Sequence, residues 1–133
     1  AHLIGGADLG WGDWNWIGSY SKTIVGEQVV STERYGTRRI DAAALDGAVI
    51  LYSAYRKDPS ANGHMRLQVN WLDRKGRLVS PQIALASLTP EVSTYAMLLQ
   101  KPKRAVSGDV YVTMHEPGQG EGHVRAVALV RPQ

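Results

Sequence analysis

The chain has 133 residues, 44% hydrophobic and 20% charged, with 15 Lys and Arg against 12 Asp and Glu and no cysteine. That length and balance fit one globular domain, residues 1–133, with a core of its own. The missing cysteine excludes disulfide staples, thiolate nucleophiles and zinc–thiolate sites, and no apolar run approaches the roughly 18 to 20 residues that cross a bilayer.

Near the start, "LGWGDWNWIGSY" gathers Trp11, Trp14, Trp16 and Tyr20 in a chain with four tryptophans and no phenylalanine. Trp14 and Trp16 are two apart, so they face one side of an extended segment, with Trp11 opposite unless Gly12 turns the backbone. Two readings stay open. Indole faces are electron-rich platforms for the C–H groups of sugar rings, and Trp is enriched at binding hot spots. Equally, the segment fills one end of a β-core. All four aromatics are candidate ligand contacts.

Further along, "DAAALDG" (residues 41–47) is too short for an independent helix and reads as one helical turn or a loop. "GAVILYSAYR" is apolar on both faces, as a central strand is. In "HMRLQVNWL" Met65, Leu67, Val69 and Trp71 alternate with Arg66, Gln68 and Asn70, giving one buried and one polar face. Trp71 therefore belongs to the core. "DRKG" (residues 73–76) makes a short hairpin with Gly76 at a positive-φ position.

"TYAMLLQ" sets Tyr95, Met97 and Leu99 against Ala96, Leu98 and Gln100; "DVYVTMH" sets Val110, Val112 and Met114 against Tyr111, Thr113 and His115. In "HVRAVALVR" Val124, Ala126, Ala128 and Val130 alternate with Arg125, Val127, Leu129 and Arg131. Pro- and Gly-rich loops, "DPSANG" and "EPGQGEG", separate these runs. Short strands at this spacing predict an all-β sandwich or barrel. The basic groups Arg38-Arg39, Arg74-Lys75 and Lys101–Arg104 read as solvated turns and strand ends. They form no stripe interleaved with aromatics, so nucleic acid is not an expected partner.

From Gly47 to Pro132 the order of motifs resembles the jelly-roll carbohydrate-binding modules and the wider galactose-binding-like superfamily. The resemblance rests on "YSAYRK", a Pro/Gly loop, "MRLQVNWLDRKGRLVS", "STYAMLLQKP", "RAVSGD" and "VYVTMHEPGQGEGHVRAVALV", with Trp71, Leu72, Asp73 and Gly76 as its "W-L-D-x-x-G" hairpin. It implies a jelly-roll β-sandwich of two antiparallel sheets and eight to nine strands, with the last strand beside the first. Such modules often bind glycans on a concave sheet face. The acidic last strand that helps hold calcium in that group is replaced here by His123, Val124 and Arg125. A histidine and an arginine offer none of the hard oxygens calcium needs, so neither metal nor cofactor is expected.

The chemistry then follows from the polar faces. If the two strands share a sheet, Arg66, Gln68 and Asn70 with Tyr111, Thr113 and His115 make a wall of donors and acceptors suited to hydroxyl-rich ligands. The alternative is an ordinary wet sheet face. His115, Glu116, Glu121 and His123 surround one loop without standard zinc spacing. No G-x-S-x-G elbow is present. Asp13, Glu27, Glu33 and Asp41 are the available carboxylates for glycosidase chemistry, and Tyr111, His115, Arg66 and Arg125 supply most of the residue types a jelly-roll lyase uses.

The reading is a non-catalytic module that binds a polysaccharide or oligosaccharide, an extracytoplasmic accessory domain of a bacterial polysaccharide-handling or envelope protein. The alternatives are a structural domain that contacts a neighbouring domain or protein chain, and a small polysaccharide lyase. No part of the segment is expected to insert into a membrane.

Overall fold

Strands form where β-branched and aromatic residues alternate with polar ones, because a pleated backbone sends successive side chains to opposite faces. The computed structural model describes residues 3–8, 13–18, 27–58, 63–115 and 120–132. Among these, the elements in chain order are β1 (Leu3–Asp8), β2 (Asn15–Ile17), β3 (Gln28–Val30), β4 (Tyr35–Asp41), α1 (Ala42–Leu45), β5 (Val49–Tyr55), β6 (His64–Leu72), β7 (Leu78–Ser87), β8 (Ser93–Leu98), β9 (Ser107–Met114) and β10 (Gly122–Pro132). Ten strands are described, where eight to nine were expected. "DAAALDG" supplies the single helical turn.

The first sheet runs β1-β10-β5-β8, with β3 also on β10, and the second runs β2-β4-β9-β6-β7. Every pairing is antiparallel. The last strand does lie beside the first, and the doubly apolar β5 sits inside its sheet between β10 and β8.

One core fills the space between the sheets. From the second sheet come Met65, Leu67, Val69, Trp71, Val110, Val112 and Met114; from the first come Ile50, Tyr52, Ala54, Met97, Val124 and Val127. All three inward residues of "HMRLQV" are fully buried, as their alternation with polar neighbours requires. Leu45 of α1 is also fully buried and plugs one end against Gly108, where a Cβ would lie 2.7 Å from its Cδ1. Arg131 on β10 ties down this turn, donating to the carbonyls of Ala43, Ala44 and Asp46 at 2.8 to 3.0 Å.

The β6–β7 hairpin shows the local chemistry that sets its register. Asp73 accepts from the backbone N–H groups of Lys75 and Arg77, both at 2.9 Å. Gly76, at φ 76°, takes the left-handed position that side chains resist.

In β10 the simple alternation fails. A bulge between Val124 and Ala126 shifts the pairing with β5, and an inserted residue reverses the phase beyond it. Val127, expected to oppose Val124, is fully buried, while Ala126 is exposed.

Candidate functional site

The outer face of the second sheet carries the polar residues. Antiparallel register places Arg66 beside Thr113, Gln68 beside Tyr111 and Asn70 beside Asp109. On the other flank Thr37 pairs with Tyr111, and one further step sets Tyr35 level with Thr113. Directly opposed residues share a sheet face. The two sequence-predicted polar sets are thus neighbours on a single wall.

That wall is indented. A cleft of about 450 Å³ is lined by Thr32, Tyr35, Arg66, Gln68, Asn70, Tyr111, Thr113, Met114 and His115. Its size falls within the range of small-ligand sites. All six residues expected from β6 and β9 line it. Sequence reasoning missed Thr32, Tyr35 and Met114, the last of which alternation set on the inward face. The period of two in "YGTRRID" (Tyr35, Thr37 and Arg39 against Gly36, Arg38 and Ile40) was the available signal, obscured by two adjacent arginines.

Within the cleft, the side-chain amide of Gln68 donates to Asn70 Oδ1 at 2.8 Å. This fixes both amides and leaves Gln68 Oε1 as an acceptor and Asn70 Nδ2 as a donor for a ligand. Tyr35 and Tyr111 stand with ring centroids 6.2 Å apart and planes tilted by 36°. They supply phenolic hydroxyls and aromatic edges side by side. Thr113 differs, being buried with its hydroxyl directed at the Ser31 carbonyl, 3.2 Å away. It builds the floor rather than offering a free hydroxyl.

Beyond β6, edge strand β7 pairs Ile83 with Gln68 and Leu85 with Arg66. Both aliphatic side chains are about half exposed, 50% and 49%. The cleft therefore has an apolar margin next to its polar centre. Such a combination suits a pyranose, whose hydroxyls point outward around a C–H-covered ring.

Of the two readings open for Trp14 and Trp16, the structure has them packed on the core side. Trp14, a candidate ligand contact by sequence, is 5% exposed and part of the core, so it presents no open face to a sugar. Trp16 is half-buried and packs on the core. Its ring crosses Gly36 so closely that a Cβ there would lie 2.8 Å from Cζ3, and the Arg34 guanidinium sits 4.4 Å from its centroid. The two indoles also stack at 6.3 Å. They point inward because β2 pairs with β4 in the register that sets Trp16 over a residue without a side chain. Trp71 is 1% exposed, in the core as periodicity required. Trp11 and Tyr20 lie outside the described residues.

A second polar cluster occupies the first sheet. The buried Glu27 carboxylate accepts from Tyr55 Oη at 2.6 Å and Arg125 Nε at 3.2 Å, and lies 3.5 Å from His123 Nδ1. Tyr55 and His123 stack at 5.1 Å. Burial raises the Glu27 pKa, but these donors, with the charge of Lys57 and that of His123 when protonated, hold it below the usual carboxylate value. Burial, and then the Lys57 charge, push His123 below the usual imidazole value, so it is neutral at pH 7. The cluster separates residues that sequence set together: His115 lines the cleft, whereas His123 and Arg125 serve Glu27. Arg125 does not join Tyr111, His115 and Arg66, which leaves the lyase residue set incomplete. Among the described residues, no carboxylate lines the cleft and no group of three or more metal-ligating side chains occurs.

No protein-family model matches the sequence, and no curated protein matches it significantly. Solved structures do resemble the fold. A xylan-binding module, CBM15, superposes with a TM-score of 0.69 at 12% identity, covering 96% of this chain and 97% of its own. The C-terminal family 22 carbohydrate-binding module of Clostridium thermocellum Xyn10B superposes with a TM-score of 0.65 at 10% identity, covering 92% and 88%. Xylanase 10C from Cellvibrio japonicus, in complex with xylopentaose, matches with a TM-score of 0.67 at 11% identity over 96% of this chain but 29% of its own. At such low identities it is the architecture that is shared, and this chain has the jelly-roll β-sandwich fold of carbohydrate-binding modules.

Proposed function

We propose that this domain binds polysaccharide without catalysing a reaction, seating the glycan along the outer face of the second sheet. The observation that carries this reading is the 450 Å³ cleft, in which tyrosine rings and two fixed amides converge, with the half-exposed Ile83 and Leu85 on the neighbouring strand. Tyr35 and Tyr111 offer ring surface to sugar C–H groups, while Gln68 and Asn70 take hydroxyls as acceptor and donor. Neither Trp14 nor Trp16 lines this cleft. Affinity is modest, because a wet, open site gains little per contact and replaces water bonds with similar ones.

Fold neighbours that bind xylan make β-linked xylan the first ligand to try. The match to less than a third of a xylanase chain supports an accessory role beside a polysaccharide-acting or envelope protein of an exported bacterial system. Glycosidase chemistry needs two carboxyl groups across the scissile bond, and none of the described cleft residues is acidic.

Titration calorimetry against xylan, mixed-linkage glucan and mannan oligosaccharides tests the assignment. Binding to at least one is expected, and Tyr111→Ala or Gln68→Ala is expected to weaken it by roughly tenfold, the scale of one lost stacking or charge-free polar contact in a ligand site. Unchanged affinity in both variants would contradict it.

A further inference from the structure

Arg66 lines the cleft, and among the described residues it has no counter-ion. Among the described residues, no acidic side chain lines the cleft. Asp109 lies on the same sheet face but level with Asn70, four residues from Arg66 along β6, or about 13 Å at the usual strand rise. Its carboxylate is also engaged by Arg39 through two hydrogen bonds of 2.7 and 3.1 Å. The Arg66 side chain forms no ion pair or hydrogen bond with the described residues, and its Nε is buried without an acceptor.

A guanidinium in a concave, partly desolvated place gains most from an anion, since an unmet buried donor is costly and local charge is poorly screened. Its planar fork matches a carboxylate better than any neutral hydroxyl. The neighbours fit a sugar that bears such a group. Gln68 follows on β6 with a free amide acceptor, and Leu85 lies opposite with a half-exposed aliphatic surface.

We infer that Arg66 reads a ligand carboxylate, so that the cleft selects glycans bearing uronic acid over neutral ones. This rests on the reading of the cleft as a glycan site and names what that site selects. A rival basic region exists. The hairpin residues Arg74, Lys75 and Arg77 share a hollow of about 320 Å³ with Arg104, and Asp73 neutralises only Arg77. Polyanions are attracted there without any fit, which the experiment must separate.

The test compares a glucuronic-acid-substituted xylan oligosaccharide with the same compound carboxyl-reduced to the neutral alcohol, by titration calorimetry at low ionic strength. The wild-type protein is expected to prefer the acidic ligand by roughly tenfold, the scale of one charge-assisted hydrogen-bonding contact. Arg66→Met is expected to bring the ratio to about one, whereas Arg74→Gln with Lys75→Gln and Arg104→Gln leaves it. Should Arg66→Met fail to fold by near-ultraviolet circular dichroism, Arg66→Gln gives the same readout.

Equal binding of the two ligands by the wild-type protein overturns the inference and leaves the glycan site standing. A preference that survives Arg66→Met but disappears in the triple variant assigns selectivity to the hairpin hollow and also overturns it. Binding of neither ligand, nor of any neutral glycan, overturns both readings.

Discussion

Glu27 illustrates how one buried carboxylate orders its surroundings. Tyr55, Arg125 and His123 converge on it from β5 and β10, tying both strands to the residue that precedes β3. Because His123 is held below its usual 6.5 by burial, the folded state resists its protonation. The unfolded chain binds that proton first, so stability falls as pH drops below about 6.5. Glu27, held below 4.5, adds a second loss at lower pH, since its ionised form supports the fold. The melting temperature is therefore expected to fall as pH drops through about 6.5, and His123→Gln to flatten that part of the profile. A profile equally steep in the variant would show that other groups dominate.

The short edge strand β2 depends on the absence of a side chain at Gly36. Any Cβ there meets the Trp16 ring at 2.8 Å, so Gly36→Ala pushes Trp16 from the core margin and weakens the β2–β4 pairing. Overpacking of this kind costs about 1–3 kcal/mol, measurable by urea denaturation. Truncating the core residue Trp14 to alanine is expected to cost about 3–5 kcal/mol while leaving glycan affinity unchanged, because its indole lies inside. Loss of glycan binding with no loss of stability would reverse that assignment.

These strands also show what can be read from residue order. The phase of β6 was legible because polar and apolar residues alternate without interruption from Met65 to Trp71. The phase of β10 was not, because a bulge leaves no mark in "HVRAVALVR", where small and branched apolar residues suit either face. Trp14 and Trp16 were correctly paired on one side by their spacing. Which side faces inward was decided by Gly36, twenty residues further along.

Taken together, two antiparallel sheets close one core, and the outer side of β4, β9 and β6 carries the half-buried polar residues of the cleft. The cleft was half legible: each polar set followed from alternation within one strand, but their adjacency depended on β6 pairing with β9 across an intervening hairpin and a further strand. Tyr35 enters only through the β4–β9 pairing, which no local pattern announces. Among the described residues, the aromatic rings that line the cleft are Tyr35 and Tyr111, which come together only in the folded sheet.

Amide chemical-shift mapping with a soluble xylan oligosaccharide locates the ligand on one of the two sheets. The expected result is a set of saturable perturbations centred on Tyr35, residues 66–70 and residues 111–115. Perturbations confined to β5, β8 and β10 would place any glycan on the opposite sheet and contradict a binding cleft between Tyr35 and Asn70.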